Sequence, residues 1–295
     1  MQRPLDFGGV IGDGLKFGVT GVPTLLRLGW LPILLMGAST VLMLRGGATL
    51  LVGPRMARSE GAVSVFQGYK MTFEAVTSPG LIVGGALLLI LGIIAFLPTY
   101  VGLIRRAAGL PTRQGGLGGY VFDERAWRVL AAGILYTLLL LAGLVFWLAP
   151  TALLMHLGGG LAGAGAVLLF LVGIGALIFV GVRLTLFVPL AGAEGSLSFR
   201  EAWNLTSGNF WSILGASIIA GIVAAIIGVF IQLLGALVGA GIENATMMGG
   251  AGVEAAHATA KIITNVFQQL VSVGLAGAIL RDLRGYGEPG VETPL

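Results

Sequence analysis

The chain contains no cysteine. That absence removes disulfide frameworks, thiolate nucleophiles and cysteine-ligated metals together. Histidine is nearly as scarce, with His156 and His257 the only two. Charged residues make up 10% of 295 positions, against roughly 25% in an ordinary soluble domain, too few to cover a water-facing surface. The 13 carboxylates lie almost entirely between apolar runs, so metal-dependent hydrolysis lacks a ligand set and a Ser-His-Asp arrangement lacks its acid. The net charge of +4 is scattered over many loops, without the basic stripe that nucleic-acid binding needs. No nucleic acid, metal or cofactor is therefore expected, and an enzyme is the least expected class.

What the chain has in excess is apolar length: 56% of it is hydrophobic. Six runs, at about 24–45, 80–104, 129–150, 164–188, 211–239 and 258–280, can each cross a hydrocarbon core of about 30 Å, which takes roughly 20 residues as helix. Irregular backbone cannot face lipid, so each run is expected as an unbroken helix that satisfies its own hydrogen bonds. The first run carries no small-residue cleavage pattern, and a cleaved signal peptide is not expected. Of the 17 Lys and Arg, only Arg45, Arg55, Arg58, Lys70 and Lys261 fall on the outer side when the N-terminus is placed inside. The positive-inside rule then predicts both termini in the cytoplasm.

Three segments alternate an apolar and a polar face at helical spacing. In 197–211, "LSFREAWNLTSGNFW", Phe199, Ala202, Trp203, Thr206 and Phe210 oppose Arg200, Glu201, Asn204 and Ser207. In 120–130, Phe122, Ala126, Val129 and Leu130 oppose Asp123, Glu124, Arg125 and Arg128, and 5–22 sets Val10, Ile11, Leu15, Val19 and Val22 against Asp13 and Lys16. Each reads as a helix lying in the membrane surface, and each precedes an inward-to-outward span. The expected fold is therefore an all-α integral membrane protein of about six spans. It forms one membrane domain, 1–295, of three hairpin units (about 5–104, 120–190 and 197–280), each preceded by a cytoplasmic interfacial helix and followed by a tail, 281–295. Arg125, Trp127, Arg128, Arg183, Phe199, Arg200, Trp203, Phe210 and Trp211 are expected at headgroup level. Arg183 in particular can reach phosphate headgroups or pair with Glu194 or Glu201.

Glycine occurs 50 times, and in membranes small residues let helices approach closely. Ala216, Ala220, Ala224 and Gly228 form one such ridge on the fifth span, continued by Gln232, with Gly235 and Gly239 as a second pair. The sixth span is unusually polar. Glu254, His257, Lys261, Asn265, Gln268 and Ser272 share one stripe, which should turn away from lipid and meet Gln232 near Lys261 or Asn265. That stripe is either an interhelical hydrogen-bond seam or the lining of a solute path.

Three motif matches carry little. Gly158, Gly160 and Gly163 fit G-x-G-x-x-G but follow an apolar helix instead of a strand. Glu254 and His257 have the E-x-x-H spacing of di-iron bundles, yet no other span supplies a carboxylate. Asn204 and Asn244 fit a glycosylation pattern without a secretory context.

The block 183–211, "RLTLFVPLAGAEGSLSFREAWNLTSGNFW", resembles the bacterial membrane domain found fused to some glycerophosphodiester phosphodiesterases and in stand-alone membrane proteins. The residues that carry the resemblance are Arg183, Pro189, Ser198, Ala202, Trp203, Leu205, Thr206, Gly208 and Trp211. No phosphodiesterase domain accompanies them. The resemblance implies a bacterial inner-membrane protein of about six spans. The function expected from these features is a non-catalytic membrane protein that organises the bilayer or serves as an accessory subunit, with membrane lipids and further subunits or a second copy as partners. The alternative is a small-solute or lipid transporter or channel built on the sixth-span stripe.

Overall fold

A computed structural model describes residues 4–45, 50–51, 72–73, 78–112, 122–157, 159–246 and 251–286. The chain is an all-α membrane protein of about six spans. Helices α1 (Phe7–Thr20), α2 (Val22–Arg45), α3 (Pro79–Ala107), α4 (Glu124–Leu157), α5 (Gly160–Arg183), α6 (Phe187–Ala193), α7 (Phe199–Ser207), α8 (Phe210–Thr246) and α9 (Ala251–Arg284) follow in order, with β1 (Leu50–Leu51) and β2 (Thr72–Phe73) between α2 and α3. The six stretches long and apolar enough to cross a membrane are Val22–Ser39, Pro79–Ala107, Glu124–His156, Ala162–Ala193, Phe210–Gly241 and Thr259–Arg284.

The structure forms two compact units, 29–96 and 1–28 with 97–295, and the chain passes between them inside α2 and inside α3. In the smaller unit α2 and α3 pair. The Ser39 hydroxyl donates to the Gly85 carbonyl at 2.7 Å, and Gly92 presents its backbone to Met36. β1 and β2 form a two-residue antiparallel ladder.

In the larger unit α8 and α9 are the principal pair. Ala216, Ala220 and Ala224 are buried, and a Cβ on Gly228 or Gly235 would strike Thr264 or Ala260 of α9. Small side chains bring these two helices together, as lipid-immersed helices require in the absence of a hydrophobic drive between them. The core around them gathers Ile213, Leu275, Ile279 and Leu280 with Phe187 and Leu190 of α6.

Two of the three interfacial helices are separate elements. The side chain of Asp6 caps α1, accepting the Gly9 N–H at 3.1 Å. Pro23, second in α2, ends α1 by lacking an N–H for the previous turn. Ser198 caps α7 by accepting the Glu201 N–H. The helix expected over 120–130 is not separate, and residues 120–121 lie outside the described residues. Asp123 accepts the Ala126 N–H at 3.2 Å, and α4 then runs from Glu124 to Leu157 without a break. No Gly or Pro interrupts Glu124–Ala132, so nothing costs the helix its continuity there.

Neither separate helix rests its apolar face on lipid alone. The structure buries Val10, Gly14, Phe17 and Gly18 of α1 and packs Ile11 and Leu15 against the same core; of the expected face Val19 is left exposed, and the buried side is shifted toward Gly14 and Gly18. The reason is backbone approach: a Cβ on Gly14 would lie 3.1 Å from the Leu275 Cα, and one on Gly274 would lie 2.5 Å from the Phe17 Cβ. α7 likewise turns Ala202 and Thr206 into the protein. The Thr206 hydroxyl donates to the Arg183 carbonyl at 2.9 Å, and Phe199 stacks on Phe187 with centroids 4.0 Å apart.

Candidate functional site

The fourth span is broken, contrary to the expectation of an unbroken helix. α5 ends at Arg183 and α6 begins at Phe187. Pro189 is the cause: it has no N–H to offer the Thr185 carbonyl, and its ring crowds that position in a continuous helix. Irregular backbone at membrane depth persists only when it is buried in protein or lines a cavity, and both conditions hold. Leu184 and Leu186 are buried, while Leu184, Thr185, Val188 and Pro189 line a cavity of about 660 Å³.

Polar groups from four helices reach that cavity. Tyr100 comes from α3, Tyr136 from α4, Ser217 from α8, and Gln268, Gln269 and Ser272 from α9. Between them stand Ala220, Ala224, Leu275, Ala276 and Ile279. The result is a mixed lining, polar at a few points and apolar elsewhere, which is the usual character of a small-molecule site.

The sixth-span stripe divides. All four described members are exposed; Gln268 and Ser272 line the cavity, and Lys261 and Asn265 take no part in it. The side chains of Glu254 and His257 lie outside the described residues. The stripe was expected to meet Gln232 of α8 near Lys261 or Asn265; of its members only Gln268 comes beside an α8 backbone position, at Gly228. Ala260 and Thr264 face α8 instead, against Gly235 and Gly228, and Gln232 is exposed. The small side chains of α9 permit the close crossing, so the amides are rotated to one side of it. Tyr100, Tyr136, Thr185 and Ser217 were not legible as site residues. The one available signal was Pro189, four residues after Thr185.

No family model matches the chain, and no curated protein or solved structure matches it. The reading of this site therefore rests on its geometry.

Beyond the cavity, charged residues meet at the end of the unit formed by the start of α4, the loop before α7 and the end of α9. Arg284 binds Glu194 bidentately at 2.9 Å and also reaches Glu201. The Tyr286 hydroxyl donates to Glu194 and the Ser196 hydroxyl to Glu201. Burial alone would raise the Glu201 carboxyl, but the Ser196 and Arg284 contacts more than reverse it and hold it below the usual carboxylate range. Burial pushes the Tyr286 phenol up, and the adjacent Glu194 adds to the shift. Arg281 pairs with Asp13, and Arg128 pairs with Glu124 while donating to the Gly195 carbonyl at 2.6 Å. Residues 124–128 and 194–201 thus share one end of the unit.

The remaining headgroup-level residues separate into protein contacts and open surface. Trp211 is 78% exposed, Trp127 is exposed beside Phe122, and Arg200 is exposed. Phe210 and Trp203 pack edgewise or tilted on Phe179. Arg183 does not pair with Glu194 or Glu201; Arg284 binds both. Its guanidinium lies instead 5.2, 5.3 and 5.9 Å from the ring centroids of Phe179, Trp203 and Phe210.

Proposed function

We propose that this chain is a non-catalytic protein of the bacterial inner membrane, both termini cytoplasmic, that holds a small polar or amphiphilic solute within its helix bundle and carries it across or along the bilayer. The observation that carries the reading is the break at Leu184–Leu186 opening onto the polar cavity of Gln268, Ser272, Ser217 and Tyr136. Discontinuous helices at a polar intramembrane site are the device by which transport folds place binding groups in lipid. The orientation is supported by the excess of Lys and Arg on one set of loops. The relation to the membrane domain that accompanies phosphodiesterases rests on the block 183–211 alone and supports the setting, not an activity.

The cavity reading is tested by filling the cavity. Gln268→Leu combined with Ser217→Leu removes two polar groups and occupies space; because the Gln268 amide also lies beside Gly228 of α8, thermal unfolding of the variant is measured alongside. Protein gently extracted from membranes is inventoried by mass spectrometry for bound small molecules. A molecule retained by the native chain and lost from the folded variant is expected. The same inventory for both proteins would end the proposal.

A second reading, an accessory subunit of a larger assembly, is favoured by Lys261 and Asn265, which stand exposed on a membrane-spanning helix. An unpaired amide in an apolar setting costs on the order of 1–3 kcal/mol, so a covering protein surface would stabilise it. Because the chain has no cysteine, Asn265→Cys provides a single crosslinking site. A crosslinked partner in native membranes supports this reading, and only uncrosslinked monomer at that site argues against it.

A further inference from the structure

Arg183 differs chemically from five other described arginines of the larger unit. Arg105 donates to the Pro111 and Ala193 carbonyls, Arg106 to the Thr24 hydroxyl, Arg128 to the Gly195 carbonyl, and Arg281 and Arg284 to carboxylates. Arg183 keeps two nitrogens, Nε and Nη1, shielded from solvent and without a hydrogen-bond partner. Three aromatic rings near its guanidinium compensate part of the charge. An aromatic face, however, is a poor substitute for the oxygen atoms that a guanidinium's N–H groups seek in their own plane. A buried charge left in that state is costly unless an anion completes it.

The surroundings show what kind of anion fits. Arg183 opens into a second cavity of about 500 Å³, separate from the first. One wall is the polar corner of Ser207 and Gly208, and the other runs along the apolar flank of Gly175, Ile178 and Leu214. Trp211, at the mouth, is the most exposed of the large aromatic side chains here, as suits a residue at headgroup level. The cavity is therefore polar at one end and hydrocarbon-like at the other. A free anion would need only the polar end.

We propose that this cavity is a site for an anionic phospholipid. The lipid phosphate would meet the Arg183 guanidinium at Nη2, and rotation of the side chain would bring Nε or Nη1, shielded in this structure, to a second oxygen to complete the fork. An acyl chain would lie along Gly175, Ile178 and Leu214. The proposal needs the membrane setting but not a solute in the Gln268 cavity, and the two sites share no lining residue.

The test uses the full chain in detergent, titrated with phosphatidylglycerol and separately with phosphatidylcholine, and read by native mass spectrometry. Inorganic phosphate is added as a competitor. The native chain should take one phosphatidylglycerol at least about tenfold more tightly than phosphatidylcholine, and Arg183→Gln should abolish that preference. Arg183→Lys, which keeps the charge but not the fork, should retain part of it. Gly175→Leu separates a lipid from a free phosphate. A Cβ there meets nothing within 4 Å, so the variant should fold with the chain slot filled, and it should lose lipid without any change at Arg183. If millimolar phosphate displaces the lipid and Gly175→Leu leaves affinity intact, the anion is free phosphate and the lipid proposal is wrong. A folded Arg183→Gln chain that binds phosphatidylglycerol like the native one would overturn the site altogether. Should Arg183→Gln fail to fold, Arg183→Lys and Gly175→Leu decide the matter.

Discussion

The crossing of α1 on α9 makes a demand that can be tested with single methyl groups. At Gly274 an added Cβ would lie 2.5 Å from the Phe17 Cβ and 2.9 Å from the Gly14 carbonyl oxygen. Carbon atoms rest about 3.5–4.0 Å apart, so the two helices would have to separate by roughly an ångström. The Gly14 and Gly18 contacts on the same face would open with them. Overpacking of this kind costs about 1–3 kcal/mol, and Gly274→Ala should destabilise the protein by that much. Gly12, on the exposed side of the same α1, has nothing within 4 Å of its Cβ position. There the change to alanine should stabilise by about 0.4–1 kcal/mol, through restriction of the unfolded chain and better helix propensity. One chemical change thus has opposite signs at two positions. Thermal unfolding of the purified protein in a mild detergent, followed by tryptophan fluorescence, measures both. If Gly274→Ala is as harmless as Gly12→Ala, α1 does not lie backbone to backbone on α9, and a helix resting on lipid becomes the correct description.

Three further outcomes follow from the charged end of the larger unit. Gly195 holds φ at +80°, and a Cβ there would come 2.9 Å from the Arg128 Nη1. Gly195→Ala should therefore cost about 1–2 kcal/mol, measured by the same unfolding assay. Arg105 is buried, and Arg105→Leu leaves the Pro111 and Ala193 carbonyls short of a donor. A loss of about 2–4 kcal/mol is expected, and a neutral result would show that water or a neighbour satisfies them. The Glu201 carboxyl is held below its ordinary range, so it stabilises the fold above about pH 4. That contribution is withdrawn as the pH falls through its lowered folded-state value. Stability should decline on acidification in the native chain and decline less in Glu201→Gln; equal acid profiles would remove Glu201 from the account.

The amino-acid sequence by itself determined that lipid is the solvent. Scarce charge and six long apolar runs leave the backbone no alternative to helix, because in hydrocarbon each N–H and C=O must find its partner within the segment. What only the tertiary structure decided is which face of each helix meets which neighbour. Periodicity marked Val10, Ile11, Leu15 and Val19 as the apolar side of α1; Val10 is buried and Ile11 and Leu15 pack on the core, but the buried side is centred further round, on Gly14, Phe17 and Gly18, since attraction between helices in lipid depends on how closely backbones can come. By the same logic Thr264 and Ala260 turned toward α8 and left Gln268 and Ser272 beside the cavity. The partner of Glu194 and Glu201 is Arg284, 101 positions beyond Arg183 in the chain. A long-range pairing of this kind leaves no trace in local spacing, because it is set by which guanidinium the folded chain brings nearer.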